Sequence, residues 1–282
     1  MTSSVKLSVV TAVYNGEPYF DRAIPSVLAQ SFQDFEFIII DDGSTDRTPE
    51  LLREAESLDS RIRILSPGRI SFARALNYGV SLAHGDYIAR QDFDDISFHD
   101  RFRLQIDVLD RHPGIGVVGG SYVIEDRNRG ERYVRQPPTR HDAIVRTMAK
   151  GIPLAHTCVM FRKAAWADAG QYPEVEDIED LRLWIEIVRS GWKLSNLPDV
   201  IGEHLVHQDS YWHSTFRYAS RQRTLQRVQW RAIRELDLPF WMSVYPVGRF
   251  CYSILPARVK KFVRRSIGQS VERDLVAGEG RV

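Results

Sequence analysis

The stretch that decides the predicted fold is YIARQDFDDIS, residues 87–97. Residues 87–90 are predicted to form a buried strand, which ends abruptly in three carboxylates, Asp92, Asp94 and Asp95. Like charges this close repel one another, so a fold tolerates them where they are solvated, where helix amides face them, or where a divalent cation lies among them. The cluster is therefore predicted at the carboxyl end of a strand, where open α/β sheets bind their ligands.

Two interpretations of the acidic cluster are open on this stretch alone. A helix is predicted after Ser97, because the apolar residues Phe102, Ile106 and Leu109 follow at helical spacing. Asp94 and Asp95 could simply favour the start of that helix, with Ser97 or Asp100 as its N-cap. Alternatively, the carboxylates form part of a ligand or metal site. The rest of the chain has to decide between these interpretations.

Strands and helices alternate along the first hundred residues. Strands are predicted at 7–13, 35–40, 62–65 and 87–90, with helices after the turns at 15–16 and 43–46 and around 73–83. This alternation predicts an α/β fold with a mostly parallel sheet, flanked by helices and joined by right-handed crossovers.

Polar side chains follow three of these strands. Neither a Gly-x-Gly-x-x-Gly motif nor a Walker loop is present, which argues against a dehydrogenase or a P-loop enzyme. A planar base could lie on Tyr14 while Asp42 accepts a hydrogen bond from its ring N–H. The alternatives are a plain turn at Tyr14 and Asn15, and an Asx-turn at 42–46 that caps a helix. Polar residues at three strand ends together favour a binding site.

Composition places the chain among ordinary globular proteins. Its 282 residues are 43% hydrophobic and 27% charged, and the two cysteines, Cys158 and Cys251, cannot form a framework of bridges. Residues 1–16 do not resemble a signal peptide, and no apolar run reaches the roughly 18 residues that span a bilayer. We therefore expect a reducing, cytoplasmic location without a transmembrane anchor.

The charge of the chain is divided unevenly. Residues 217–282 contain 14 Lys and Arg against 5 Asp and Glu, whereas residues 1–216 contain 24 against 32. A helix at 217–236 would place Leu225, Val228, Ala232 and Leu236 on one stripe, with arginines opposite. Aromatic residues and a cluster of lysines and arginines follow, up to Arg265. Residues 217–265 are therefore predicted to contact an anionic membrane surface.

The basic tail has two other interpretations. The helix could pack on the preceding domain, with its arginines as a solvated face. Nucleic-acid binding is the least favoured, because the predicted cleft is acidic, so no nucleic-acid partner is expected.

Taken together, six segments resemble the family 2 glycosyltransferases, which have a GT-A type, Rossmann-like fold. The segments are SVVTAVYNGEPY (8–19), QSFQDFEFIIIDDGSTDRT (30–48), SFARALNYGVSLAHGDYIARQDFDDIS (71–97), AHTCVMFRKAAW (155–166), IEDLRLWIEIVRSGWKLSNLP (178–198) and HLVHQDS (204–210). Their order and spacing make the resemblance specific over about residues 5–215. It implies a catalytic domain at 1–215 and a basic, helical C-terminal extension at 216–282.

The resemblance also implies which residues bind the donor and the metal. The donor-binding positions are Ala12, Tyr14, Asp42, Arg74, Asp92 and Asp94. The DxD-type motif maps onto Asp92, Asp94 and Asp95, and a divalent cation, Mg²⁺ or Mn²⁺, is expected there. Asp94 is the direct metal ligand on this interpretation, with Asp95 and His207 as further ligands. A hard cation suits such oxygen ligands.

The general base and the acceptor positions follow from the same resemblance. Asp180 matches the carboxylate that takes the proton of the acceptor hydroxyl, and His156, Glu179 and Trp184 match positions near the acceptor. The neighbouring pair at 176–177 could be mistaken for the motif, but residues 183–184 follow 179–180 at the family's spacing. Two departures are Arg182, where a second Asp is common, and Leu205, where an Arg is common.

The sequence therefore predicts an inverting, metal-dependent glycosyltransferase. It would move a sugar from a UDP- or dTDP-sugar to a saccharide or lipid-linked saccharide, in polysaccharide synthesis of the cell envelope. It would lie peripherally on the cytoplasmic face of the cell membrane. The alternative is a non-catalytic relative that binds a nucleotide or a glycan. A nucleotidyltransferase is more distant, because residues 14–19 lack a Gly-rich loop with a Lys.

Overall fold

The computed structural model describes residues 5–175, 177–207, 218–255 and 259. Its first half alternates strand and helix as predicted. The bounds are β1 (Leu7–Val13), α1 (Phe20–Leu28), β2 (Phe35–Asp41), α2 (Thr48–Leu58), β3 (Ile62–Leu65), α3 (Phe72–Leu82) and β4 (Tyr87–Arg90). The continuous apolar runs form these strands because both faces of the sheet are covered by helices.

The second half contains longer strands and more irregular connections. It comprises β5 (Ile96–Ser97), α4 (Arg101–Arg111), β6 (Ile115–Asp126), β7 (Glu131–Arg135), α5 (His141–Met148), β8 (Met160–Arg162), α6 (Lys163–Asp168), α7 (Glu179–Arg189), β9 (Lys193–Val206), α8 (Tyr218–Glu235) and α9 (Val244–Ile254). The helix predicted after Ser97 is thus α4, and Asp100 occupies its N-cap position.

One sheet runs through the molecule in the order β3-β2-β1-β4-β8-β6-β9-β5, with β7 paired to β6. The predicted α/β fold is confirmed, and the strands from β3 to β4 are parallel as expected. Beyond β4 the sheet is mixed: β8 is antiparallel to both β4 and β6, whereas β9 is parallel to β6. The carboxyl ends of β1, β2 and β4 consequently meet at one edge of the sheet.

Two apolar cores cover the two faces of this sheet. Helices α1, α2 and α4 supply one core, and α3, α5, α6 and α7 supply the other. Three residues of α8, Leu225, Val228 and Ala232, are buried in the second core. The predicted apolar stripe of this helix therefore packs on the core that α3, α5, α6 and α7 supply.

The segment after α8 has a different surface. Met242 is buried against Ala149 and Ile233, but five other large apolar side chains are exposed, namely Phe240, Trp241, Val244, Val247 and Phe250. The lysines and arginines predicted to lie beside them, from Arg258 to Arg265, fall outside the described residues. In the part of the chain that the structure describes, no helix combines the length and apolar character needed to cross a bilayer.

Candidate active site

The polar residues predicted at three strand ends lie along one edge of the parallel part of the sheet. Tyr14 directly follows β1, Asp42 directly follows β2, and the acidic cluster begins two residues after β4. Because β1 lies between β2 and β4, the loop that carries Tyr14 separates the other two groups. The site is therefore built from neighbouring loops on a rigid sheet.

Asp42 and Tyr14 are joined by an arginine that the motifs did not single out. Asp42 is 6% exposed, and one of its oxygens accepts a hydrogen bond from the Ile70 amide at 2.6 Å. The other oxygen lies 3.4 Å from Nη1 of Arg69. The Arg69 guanidinium carbon lies 3.7 Å from the centre of the Tyr14 ring. Arg69 follows β3, which lies next to β2 in the sheet. The parallel arrangement of these strands was therefore the signal that could have placed Arg69 beside Asp42.

The turn interpretation holds for the neighbours of Asp42. Asp41 accepts a hydrogen bond from the Ser44 amide at 2.9 Å, which closes an Asx-type turn. Asp46 accepts one from the Thr48 amide at 3.0 Å, at the start of α2. Ala12 is buried in β1 and presents no polar side chain. Among these residues, Asp42 is thus the carboxylate beside the Tyr14 ring.

The three carboxylates of the acidic cluster have three different environments. Asp95 is buried, and its oxygens lie 2.7 Å from the Leu205 amide and 3.0 Å from Nδ1 of His204. Burial raises the pKa of Asp95, and the charge on His204 opposes this effect. Asp95 reaches His204 and Leu205 because the next residue, Ile96 of the short strand β5, pairs with Glu203 of β9. Asp94 and Asp95 precede α4 by several residues, so the first turn of that helix does not explain them.

Asp92 is held by a buried arginine from the end of β4. The Arg90 guanidinium donates to Asp92 through Nη2 at 2.5 Å, and it lies over the Phe72 ring. Its Nε and Nη1 have no hydrogen-bond partner among the described residues. Although burial lowers the pKa of this guanidinium, the charge on Asp92 raises it overall. The positive charge of Arg90 is thereby held in a fixed position beside Asp92.

Asp94 is partly exposed, like Asp92, but it lies beside a histidine instead of an arginine. One of its oxygens lies 3.2 Å from Nε2 of His207, and Nδ1 of that histidine lies 3.0 Å from the Tyr19 hydroxyl. Both Asp94 and His207 are partly exposed. No cluster of three metal-ligating side chains occurs among the described residues. The pair nevertheless fits a cation held together with a diphosphate, because Mg²⁺ is usually bound by one or two carboxylates, water and substrate phosphates.

Glu179, which is partly buried, and Asp180, which is buried, form a carboxylate pair at the start of α7. Asp180 accepts a hydrogen bond from the Leu181 amide at 2.7 Å. Burial raises the pKa of both carboxyls, and the charge on Asp180 raises that of Glu179 further. The positive charge of Arg90 opposes the rise at both. Carboxyls with raised pKa values in a cleft are typical of proton-transfer sites.

The residues predicted near the acceptor surround this pair. Nδ1 of His156 lies 3.8 Å from Glu179, and its Nε2 lies 2.9 Å from the Tyr172 hydroxyl. Burial holds the pKa of His156 well below its usual range, so the imidazole is neutral. Trp184 is fully buried, with its ring 6.2 Å from that of His156. It therefore lies behind the histidine rather than at the surface of the cleft.

Arg74 lies on the exposed side of the same region. Its guanidinium binds Glu174 at 2.7–2.8 Å, and both side chains are more than half exposed. This ion pair connects α3 to the loop that leads into α7. Arg74 is thus close to the predicted base, and it could exchange Glu174 for another anion.

Comparisons with known proteins identify the family of the chain. The profile of "Glycosyl transferase family 2" matches residues 8–169. The chain is 32% identical to the putative glycosyltransferase EpsE of Bacillus subtilis, over 92% of this chain and 93% of EpsE. It is 29% identical to the amylovoran biosynthesis glycosyltransferase AmsE of Erwinia amylovora, over 91% and 97% of the two chains.

Solved structures share the fold. A mannosyltransferase from Pyrobaculum calidifontis, in complex with GDP-Man and Mn²⁺, aligns with a TM-score of 0.65 and 16% identity, covering 96% of this chain and 81% of the other. TarS of S. aureus, residues 1–349 with UDP-GlcNAc, aligns with a TM-score of 0.64 and 17% identity, covering 90% and 82%. At these identities the likeness supports the fold alone.

Proposed function

The chain belongs to glycosyl transferase family 2 and is a glycosyltransferase, and we propose that it is an inverting, metal-dependent enzyme using a UDP- or dTDP-sugar. The acceptor is a saccharide or a lipid-linked saccharide of the cell envelope. Relatives named for amylovoran and teichuronic acid biosynthesis support this acceptor class.

One observation carries the proposal. A carboxylate linked to an aromatic ring through an arginine, a partly exposed carboxylate–histidine pair and a carboxylate pair with raised pKa values lie around the carboxyl ends of the parallel strands. They are Asp42, Asp94 with His207, and Glu179 with Asp180. These groups suit the base, the diphosphate and the acceptor hydroxyl respectively. A protein that only binds a nucleotide would not need the third group.

Donor recognition begins at Asp42. A carboxylate accepts but does not donate, so it suits the ring N–H of uracil or thymine. Arg69 covers one face of the Tyr14 ring, so a base that stacks on that face would displace the guanidinium. Arg74 matches the family position that reaches the nucleotide or its phosphates. Guanine also carries a ring N–H, so the comparison of nucleotides must include GDP.

Asp180 is the general base in this mechanism. The acceptor oxygen bonds to the anomeric carbon on the face opposite the diphosphate as the bond from that carbon to the diphosphate breaks, and one base takes the proton of the acceptor hydroxyl. Burial brings the pKa of Asp180 closer to neutrality and makes it a better proton acceptor. Arg90 keeps the carboxylate ionised by opposing that rise. Configuration is inverted because there is a single displacement.

Asp94 and His207 would hold the divalent cation, with the diphosphate completing its ligands. When bound, Mg²⁺ or Mn²⁺ supplies stabilisation of the negative charge that builds on the departing diphosphate. Asp95 remains a predicted ligand, and in its observed position it orients the end of β9, which carries His207, by accepting from the Leu205 amide.

We further propose peripheral attachment to the cytoplasmic face of an anionic membrane. The exposed side chains from Phe240 to Phe250 offer apolar surface of the kind that enters the headgroup region. Residues 238–271 contain six Lys and Arg and no Asp or Glu, which complements anionic lipid. A membrane location would bring the site close to a lipid-linked acceptor.

The decisive experiment is a screen of nucleotide sugars. Release of nucleoside diphosphate is measured for UDP-, dTDP- and GDP-hexoses in Mn²⁺, together with thermal shifts produced by UDP, dTDP and GDP. We expect a stabilising shift and turnover with at least one uridine or thymidine donor. Asp180→Asn should keep the thermal shift and lose the turnover. Binding without turnover by the wild type would instead support a non-catalytic relative.

A further inference from the structure

The backbone immediately before the catalytic pair is strained. Asp177 and Ile178 both have positive φ angles, of 70° and 64°. Asp is tolerated in this left-handed region, but a β-branched residue such as Ile is a true outlier. Ile178 is also the N-cap of α7, so this unusual conformation sets the direction in which Glu179 and Asp180 leave the loop. Such outliers persist only where the surroundings enforce them.

An arginine from the C-terminal helix holds this strained segment. Nε of Arg221 donates to Asp177 at 3.2 Å, and the two side chains are 2% and 7% exposed. A buried ion pair is a poor source of net stability, because removing two charges from water offsets most of their attraction. Its presence beside a strained backbone therefore calls for an explanation other than stability.

Helix α8 is a firm support for Arg221. Its Leu225, Val228 and Ala232 are buried in the same core as α7. Further along both helices, Arg231 also binds Glu186 of α7. The guanidinium is thus fixed relative to α7 by packing as well as by its own ion pair.

We propose that Arg221 is a positioning residue, which holds Asp177 in the left-handed conformation and thereby aims the Asp180 carboxylate at the acceptor. This inference rests on the proposed function, in which Asp180 is the general base. The family motifs lie within residues 5–215, so a residue of the C-terminal extension, Arg221, determines the geometry of the base. Because the Arg221 side chain is buried against Asp177, we expect donor binding to be unaffected.

The test separates binding from turnover in three full-length variants. Arg221→Met removes the clamp, Arg221→Lys keeps the charge, and Arg234→Met is the control, because Arg234 lies on the same helix with an 80% exposed side chain. We expect Arg221→Met to lower kcat about 10–100-fold, as a misdirected catalytic group does. Its Kd for UDP in Mn²⁺ should stay within about twofold of the wild type. Arg221→Lys should recover part of kcat, and Arg234→Met should match the wild type.

Asp177→Asn provides a second route to the same answer. Asn tolerates positive φ as Asp does, so this variant removes the charge of the pair without changing the backbone preference. If the two residues act together, the double variant Asp177→Asn with Arg221→Met should be no slower than Arg221→Met alone. Additive losses in kcat would mean that Arg221 acts independently of Asp177 and would overturn the inference.

Hydrogen exchange tests the inference even without a known substrate. The Arg182 amide donates to the Ile178 carbonyl at 3.3 Å, so its exchange reports the first turn of α7. Arg221→Met should speed this exchange at least about tenfold, at a temperature where both proteins are folded. The inference is wrong, and Arg221 has only a structural role, if Arg221→Met leaves the exchange rate or kcat unchanged. The same holds if Arg221→Met lowers kcat and UDP affinity equally. Lack of turnover by the wild type would refute the proposed function and leave the exchange result to decide the clamp.

Discussion

Leu225 in α8 is the residue through which the role of the C-terminal extension can be tested most directly. It is buried at the start of the apolar stripe that packs into the same core as α3 and α7. Leu225→Ala removes these contacts and leaves a cavity, which costs about 2–5 kcal/mol in a packed core. At about 2–4 °C per kcal/mol for a protein of this size, we expect the melting temperature to fall by about 4–20 °C.

Thermal and urea unfolding, followed by circular dichroism, measure this effect. The matched control is Phe240→Ala, which truncates a larger apolar side chain that is 80% exposed. Exposed substitutions of this kind change stability by less than about 0.5 kcal/mol. The denaturant midpoint should therefore fall for Leu225→Ala and stay constant for Phe240→Ala, with the slope of the transition unchanged in both.

Vesicle sedimentation should give the reverse result. Replacing Phe240 and Trp241 by Ser should weaken binding to vesicles containing anionic lipid, whereas Leu225→Ala should bind them normally below its melting temperature. If Leu225→Ala leaves the unfolding transition unchanged, α8 does not complete the core. If neither the wild type nor any variant sediments with vesicles of any composition, the membrane proposal is wrong and the exposed face serves another purpose.

Three further predictions concern the active site. Asp94→Asn should abolish transfer and remove the Mn²⁺-dependent part of UDP affinity in calorimetry, with the melting temperature nearly unchanged, since Asp94 is partly exposed. Asp42→Ala should weaken UDP binding even without metal by about 1.5–3 kcal/mol, or one to two decades; unchanged affinity would remove Asp42 from the site. Because burial raises the pKa of Asp180, kcat should fall with decreasing pH at a higher pH than for an ordinary Asp. For the same reason Asp180→Asn should raise the melting temperature at neutral pH, where the wild type ionises a buried carboxyl, but not below the pKa of an unfolded Asp.

The sequence predicts the parts of the site that depend on local pattern. Asp42, Asp92 and Asp94 follow buried strands, and parallel topology brings such strand ends together, so their common location could be expected. The stripe of α8 could be recognised from its spacing, but not its partner, because an amphipathic helix fits a core as well as a membrane. Because Leu225, Val228 and Ala232 are buried in the core with α3 and α7, the apolar stripe of α8 faces this core and not a membrane.

Contacts between residues far apart in the chain could not be read from local pattern. Arg69 reaches Tyr14 only because β3 lies beside β2, and Asp95 reaches the Leu205 amide only because β5 pairs with β9. Spacing alone favours the Glu-Asp pair at 179–180 over the pair at 176–177. In the fold, Asp177 contacts Arg221 and Asp180 lies within reach of the Arg90 charge, so the two aspartates have separate environments.

The acidic cluster illustrates how this fold tolerates like charges without a helix cap. Each aspartate has its own partner: Asp92 binds Arg90, Asp94 lies beside His207, and Asp95 contacts both His204 and the Leu205 amide. Asp95 is buried and Asp92 is tied to a fixed cation, so neither can turn easily toward a ligand. Among the three aspartates, only Asp94 is both partly exposed and next to a side chain that can itself bind a metal, His207. This division of roles, rather than the number of carboxylates, makes Asp94 the residue on which donor binding should depend.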